Sequence, residues 1–346
     1  MKNVHLVIPD LFLTKDFAAE VCDGLSVPAL EKLLARGRGE ILESVPLENL
    51  LCEMFDVPSR ADARQSDAPR ADAPVAPISA AFDGLGEGCW LRADPVHLRL
   101  QREQMLLLPN LEIGADEAGQ MCVSLNQHFA GQGMEFFAPH PLRWYVRFGV
   151  LPDIETVPLS QASGHNVHGL LPKGAEALRW HQVFNEIQML LFAHPLNEAR
   201  EARGELPINS VWFWGGGDSA LLPQKKYQSV YSDEVLAEMF AAAADIPFAG
   251  WPAQWRDEEN IAGQLLVWTG LRSALQRGDL AAWRKALQDF ETGYAQPLWQ
   301  ALRSGKIAQL RLDILGGESF RRASLTRRDA WAFWRRSKRL AEYSLV

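Results

Sequence analysis

The residues from His194 to Gly217, HPLNEAREARGELPINSVWFWGGG, concentrate more chemistry-capable types than any other run of this chain. His194-Pro195, Asn197 and Arg200 come first, then Gly204, Pro207 and Asn209, then a strand-like SVWFW opening onto Gly215, Gly216 and Gly217. Pro195 restricts His194 and Gly204 suits a C-terminal cap, so the first half reads as a helix end. The second half reads as a short buried strand followed by a glycine turn, where backbone amides can approach a ligand. Open α/β sheets place ligands where strand gives way to such a turn. The alternative is a hinge in which Gly and Pro are only punctuation.

Elements must hold that run in place. At 346 residues the chain is long enough for two domains, and 47% hydrophobic with 23% charged residues fits a globular protein. No apolar run approaches the roughly 18 residues of a membrane helix. The start, MKNVHLVIPDLF, reads as a first strand over residues 3–9 closed by Asp10, without a cleavage site. Cys22, Cys52, Cys89 and Cys122 are scattered without CxxC spacing, which argues against a zinc site or disulfide framework and for reduced thiols in the cytoplasm. A net charge of −8 disfavours nucleic acid and anionic membrane as partners.

The patterning predicts helices over 25–37 and 46–55, then a flexible Ala/Asp/Pro/Arg-rich loop over 59–79. An α+β segment over 82–206 follows. Its parts are strands in VHLRLQ, MLLLPNLEI, MEFFAP and RWYVRF and helices over 115–129 and 175–193. Beyond the glycines the pattern predicts helices over 233–243, 259–277 and 279–304, the strand KIAQLRLDIL, and a last helix RRDAWAFWRRSKRL. Short strands alternating with helices at both ends of the chain fit one discontinuous α/β lobe.

The 194–217 run resembles the cofactor-independent phosphoglycerate mutases of archaeal and bacterial type. They carry HPxN…R…G..P.N before a strand ending in a glycine turn, with a WxWGxG ending in the bacterial branch. A weaker likeness over most of the chain extends to a proteobacterial subgroup labelled RpfE-type regulatory proteins. The resemblance implies an alkaline-phosphatase-superfamily architecture: an α/β lobe with a mainly parallel sheet over 1–81 and 207–346, and an inserted α+β substrate-type lobe over 82–206.

That superfamily uses two divalent metals to activate a Ser or Thr nucleophile, held by several Asp and His ligands. Asp10 matches the ligand that ends the family's first strand. The nucleophile position falls on Leu47 and Glu48, with Ser44 out of register. Leu271 and Leu275 stand where an Asp and a His are expected. Asp313 lies inside its strand, which ends in Gly316-Gly317, and Ser324-Leu325-Thr326 replaces the last His and Thr. No histidine follows His194 in the chain. One carboxylate cannot hold two metals, so no cofactor is expected, and Mn²⁺ or Mg²⁺ only if catalysis survives.

The resemblance retains Arg92 in GCWLRADPV, Arg143 in PHPLRWYVR, and Arg200 beside Asn197, Asn209 and His194, as ligand-gripping positions. Asp94 replaces a family Asn, and His165 and His168 match weakly. Each arginine could equally be a surface residue or salt-bridge partner. The segment 321–339 holds seven arginines and one lysine interleaved with Trp331, Phe333 and Trp334. It reads as a terminal helix packing its aromatic face, and is the best candidate surface for a protein partner. The expected function is therefore a non-catalytic regulatory or binding protein for a small phosphorylated acid or a protein partner. The alternatives are an active 2,3-bisphosphoglycerate-independent phosphoglycerate mutase or phosphatase, and a pure scaffold.

Overall fold

The computed structural model describes residues 2–58, 73–102, 104–109, 111–220, 222–257, 262–316 and 319–344. Along them run the strands β1 (Lys2–Pro9), β2 (Arg38–Glu43), β3 (Cys89–Gln101), β4 (Gln104–Leu108), β5 (Met134–His140) and β6 (Arg143–Phe148). They are followed by β7 (Ser210–Asp218), β8 (Ser229–Ser232), β9 (Phe248–Gly250), β10 (Gly263–Val267), β11 (Ile307–Leu315) and β12 (Ser319–Thr326). The chain forms two compact units, Met1–Leu47 with Lys225–Val346, and Glu48–Gln224.

The first unit is built on a seven-stranded sheet in the order β2-β12-β11-β1-β10-β8-β9. The strands β11, β1, β10, β8 and β9 are mutually parallel, and β12 and β2 extend one edge antiparallel. Central parallel strands are covered on both faces and therefore read as continuous apolar runs. Val4, Leu6, Val7 and Ile8 of β1 are all buried, as the first-strand prediction requires. The same physics overturns the helix predicted over 259–277. Residues 259–261 of that span lie outside the described residues; GQLLV is β10, paired parallel with β1 and β8, and among the described residues of the span only Arg272–Gln276 is helical. A five-residue apolar run has no periodicity with which to tell helix from buried strand.

The helix Pro28–Arg36 carries Pro28 at its start and ends at Gly37, packing Leu30 and Leu33 into the core with Trp283, Leu287, Leu298 and Leu302. The helical run predicted over 279–304 is present as Leu280–Phe290 and Gln296–Ser304 joined by a π turn, Glu291–Ala295. That turn aims the buried Glu291 carboxylate at the first amides of the Pro28–Arg36 helix, where it accepts from Ala29 N at 2.8 Å and Leu30 N at 3.0 Å. The predicted terminal helix is cut to Arg327–Ala330, one turn held by Thr326 and Asp329, with a 3₁₀ turn at Leu340–Tyr343. Its aromatics do not pack inward. Trp331, Phe333 and Trp334 are 55%, 79% and 70% exposed while Ala330, Ala332 and Leu340 are buried, a pattern without helical period.

The second unit centres on β3, which pairs antiparallel with β4, β6 and β7, with β5 beyond β6. Helices Ala115–His128 and Ala177–Phe192 agree with their predictions, and Trp180, Ile187, Met121 and Leu125 are buried in them. The strand Ser210–Asp218, assigned from sequence to the parallel lobe, instead pairs with β3. Of the predicted loop over 59–79, residues 59–72 lie outside the described residues, and the rest leads into a helix, Ala76–Phe82. That helix explains the glycines: they lie inside β7 rather than in a turn. A Cβ on Gly217 would stand 2.7 Å from Pro74 Cβ, and one on Gly215 2.8 Å from Val75 Cγ2. The glycines let the chain approach the start of the helix.

Candidate functional site

In the parallel unit, the ends of β1, β8 and β10 bring together Asp10, Asp233, Glu234, Thr269 and Arg272, at the edge where open α/β sheets place ligands. Asp10 turns the chain with φ of +61° and accepts from Arg272 Nε at 3.2 Å. Arg272 Nη1 lies 3.5 Å from Glu234 Oε2, so one guanidinium links two carboxylates. Asp233 accepts from Thr269 N at 2.7 Å and Thr269 Oγ1 at 3.2 Å. Burial raises the Asp233 carboxyl above the usual range, against the pull of these donors.

Asp313 is not at this edge. It is fully buried within β11, accepting from His5 Nε2 at 2.9 Å and from Arg322 Nε and Nη2 at 3.1 Å each, while His5 Nδ1 meets Tyr227 Oη at 2.8 Å. Burial alone would raise the Asp313 carboxyl, but the His5 and Arg322 bonds hold it below its ordinary value, and burial keeps His5 below its own. Ser44 Oγ donates to Gly316 O at 2.8 Å, and Thr326 Oγ1 to Asp329 Oδ2 at 2.7 Å. In the other unit Glu48 is buried, and its Oε2 has no hydrogen-bond partner among the described residues. The carboxylates that would hold the divalent metals implied by the resemblance are already engaged: Arg272 holds Asp10 and Glu234, and Asp313 accepts from His5 and Arg322. Among the described residues no three His, Cys, Asp or Glu side chains are grouped to hold an ion.

In the antiparallel unit the structure brings Arg92 and Arg143 into one cluster. Arg92 lies buried on β3, donating to Asp94 Oδ1 through Nε at 3.0 Å and Nη2 at 2.7 Å, over the faces of Tyr145 and Trp214. Asp94 also accepts from Trp214 Nε1 at 2.7 Å and Trp144 N at 3.3 Å. Arg143, at the start of β6, is bidentate to Asp83 at 2.8 and 2.6 Å, and Tyr145 Oη donates to the same carboxylate at 2.5 Å. Burial pushes the Asp83 carboxyl up, but Arg143 and Tyr145 outweigh it and hold the group low. The His140 ring stands beside the pair, and burial together with Arg143 lowers its basicity. Sequence reasoning missed Asp83 and Tyr145. The Arg-Trp-Tyr alternation of β6, which puts Arg143 and Tyr145 on one face, is the signal that could have found Tyr145.

The polar residues of the 194–209 run do not join that cluster. Each is matched to the protein itself. His194 caps the helix Pro195–Ala202 through Leu196 N and meets Ser124 Oγ at 3.0 Å. Asn197 donates to Leu191 O and Ile208 O and accepts from Ile208 N, all within 2.7–2.8 Å. Arg200, 1% exposed, donates to Leu206 O at 3.0 Å, Glu112 O at 2.8 Å and Glu117 Oε2 at 2.8 Å. Asn209 pairs with both main-chain groups of Leu98 at 2.7 and 2.9 Å. The run pins helix, loop and strand together. His165 and His168 are exposed.

No protein-family model matches the chain. It is 24% identical over 205 residues to the 2,3-bisphosphoglycerate-independent phosphoglycerate mutase of Methanosarcina mazei, covering 55% of this chain and 48% of that protein. To the Methanosarcina acetivorans protein of the same name it is 24% identical over 216 residues, 59% of this chain and 51% of the other. A probable mutase of that name from Geobacter sulfurreducens is 39% identical over 61 residues, 18% of this chain and 15% of its own length. The chain spans about half the length of the curated relatives it matches over most of its own length. Among solved structures, the PH0037 protein of Pyrococcus horikoshii superposes with a TM-score of 0.54 at 11% identity, over 94% of this chain and 87% of the other, and shares its fold. A cofactor-independent phosphoglycerate mutase from Thermoplasma acidophilum gives 0.46 at 13% identity, over 94% and 90%. By sequence, then, the chain is a distant relative of the cofactor-independent phosphoglycerate mutases that its 194–217 run resembles.

Proposed function

We propose that this protein is a degenerate relative of those mutases, of the RpfE-type regulatory kind, which binds a small phosphorylated acid without turning it over. One observation carries the reading. At the edge of the parallel sheet where metal ligands would converge, Arg272 links Asp10 to Glu234. A guanidinium supplies positive charge there but no Lewis acidity, and it cannot lower the pKa of a bound hydroxyl as a metal does. Glu48, at the nucleophile position implied by the resemblance, carries no hydroxyl to activate.

The ligand site in this reading is the Arg92–Arg143 cluster. A phosphate or carboxylate presents the same two-oxygen geometry that Asp83 presents to Arg143, so the incoming anion takes the place of Asp83 on that fork. Arg92, tied to Asp94, supplies fixed positive potential behind it. The exposed Trp331, Phe333 and Trp334, among arginines, offer a surface suited to a protein partner. The scattered free thiols suit a reducing compartment such as the cytoplasm.

The test is the melting temperature with excess 3-phosphoglycerate, in Mn²⁺ and again in EDTA. At 100 times Kd a ligand stabilises by about 2.7 kcal/mol, a shift of several degrees. A shift that survives EDTA and is lost in Arg143→Ala supports the proposal. A shift that requires Mn²⁺ restores the alternative of an active mutase or phosphatase using Mn²⁺ or Mg²⁺. No shift in either buffer refutes this ligand and leaves the interaction scaffold.

A further inference from the structure

The opposite edge of the parallel sheet, where β1 and β11 begin, holds a feature that the phosphoglycerate reading does not use. A cavity of about 650 Å³ is lined by Lys2, Arg38, Lys306, Arg327 and Arg328, together with the apolar Ile307 and Ala308 and the hydroxyl-bearing Ser324 and Thr326. These cations come from four separate places: the first residue of β1, the first of β2, the residue before β11, and the turn after β12. One acid, Asp329, lines the cavity, and it is committed: it accepts from Thr326 N at 2.9 Å, Thr326 Oγ1 at 2.7 Å and Arg38 Nε at 2.9 Å. A second, Asp257, reaches Lys2 Nζ at 2.5 Å and lies 3.8 Å from Lys306 Nζ. Among the described residues, five cations against two carboxylates leave an excess of three positive charges, in a chain whose net charge is −8.

Like charges gathered around one concavity repel one another, and a bound polyanion relieves that repulsion. The excess of three matches a diphosphate near neutral pH. The volume lies within the roughly 300–1,000 Å³ of small-molecule sites and leaves room beyond two phosphates for an organic group beside Ile307 and Ala308. We infer that this cavity binds a small molecule carrying a diphosphate or longer polyphosphate, at a site separate from the crevice formed by Asp10 and Arg272.

Calorimetric titration of the full chain in EDTA tests this, with tripolyphosphate, pyrophosphate and orthophosphate at one fixed ionic strength. Tripolyphosphate should bind with one equivalent and at least tenfold tighter than orthophosphate. Lys306→Gln with Arg328→Gln should weaken it at least tenfold at an unchanged melting temperature, because both side chains are at the surface. Lys306→Arg with Arg328→Lys should keep most of the affinity. Arg143→Ala, in the other unit, should leave tripolyphosphate binding intact, which separates a failure here from a failure of the phosphoglycerate reading. Should the double variant melt early, Lys306→Gln alone repeats the comparison, with a several-fold loss expected. Absence of binding at millimolar tripolyphosphate, or equal affinity in wild type and the glutamine variants, overturns the inference.

Discussion

Arg200→Met separates the two roles that its motif suggests, ligand grip and structural lock. The arginine is fully buried, and methionine fills most of its volume while removing every donor. Two main-chain acceptors, Leu206 O and Glu112 O, then lose a charged donor. Leaving a buried acceptor unsatisfied costs about 1–3 kcal/mol. Glu117 keeps Gly114 N at 3.2 Å and Arg203 Nη2 at 2.6 Å and is partly exposed, so its share is discounted for solvent screening. The expected loss is about 3–5 kcal/mol. For a cooperative unit of this size, at roughly 2–4 °C per kcal/mol, the Glu48–Gln224 unit should melt some 10 °C lower. Differential scanning calorimetry reads this directly. An Arg200→Met protein that melts within about 2 °C of wild type, yet no longer responds to 3-phosphoglycerate, would refute the structural assignment and return Arg200 to the ligand site.

Other expectations follow from individual contacts. Gly217→Ala drives a methyl to 2.7 Å from Pro74 Cβ, and overpacking of this kind costs about 1–3 kcal/mol, measurable as a lower urea midpoint. Asp83→Asn weakens the hold on Arg143, so it should raise affinity for 3-phosphoglycerate even as it lowers the melting temperature; a fall in affinity would mean that Asp83 does not compete with the ligand. Burial holds His5 below its ordinary value of 6.5, so the unfolded chain takes up a proton that the folded chain resists. Stability should therefore decline as pH falls below about 6.5, and His5→Gln should flatten that slope. The depressed carboxyls of Asp313 and Asp83 act in a lower window: their contribution is complete above about pH 4 and is lost as pH falls through their folded values. Asp313→Asn should shift the acid midpoint, and an unchanged midpoint would contradict the buried His5–Asp313–Arg322 arrangement.

Much of the fold was legible because burial leaves a mark on residue type. The apolar β1, the Pro-to-Gly bounded helix at 28–36 and the amphipathic helix at 177–192 declare themselves by period and punctuation. β10 did not, since a short strand covered on both faces has no period. β2 and β12 escaped too, because their polar, arginine-bearing residues look like loop. The π turn at Glu291 leaves no signature beyond Gly293, whose added Cβ would stand 2.9 Å from Ala253 O. For the site, the resemblance singled out the arginines but could not say what faces them. Arg92 and Arg143 share a cluster and Arg200 does not, and only the carboxylates at Asp83, Asp94 and Glu117 decide that. The glycines of β7 misled for a related reason: a glycine needed for close packing and one needed for a ligand look the same in a sequence.

The strand order has a consequence for how the chain is made. β1 stands between β10 and β11, pairing Asn3 with Gly263 and Gln309. During synthesis the first strand therefore waits for about 260 residues before either of its neighbours exists, while the intervening Glu48–Gln224 unit is contiguous and closes its own sheet. Vectorial synthesis favours the internal unit as the first to fold, with an apolar β1 exposed meanwhile. The VHLVIP segment is thus the chain's aggregation hazard in the nascent state, and the place where a holding chaperone would have most to protect.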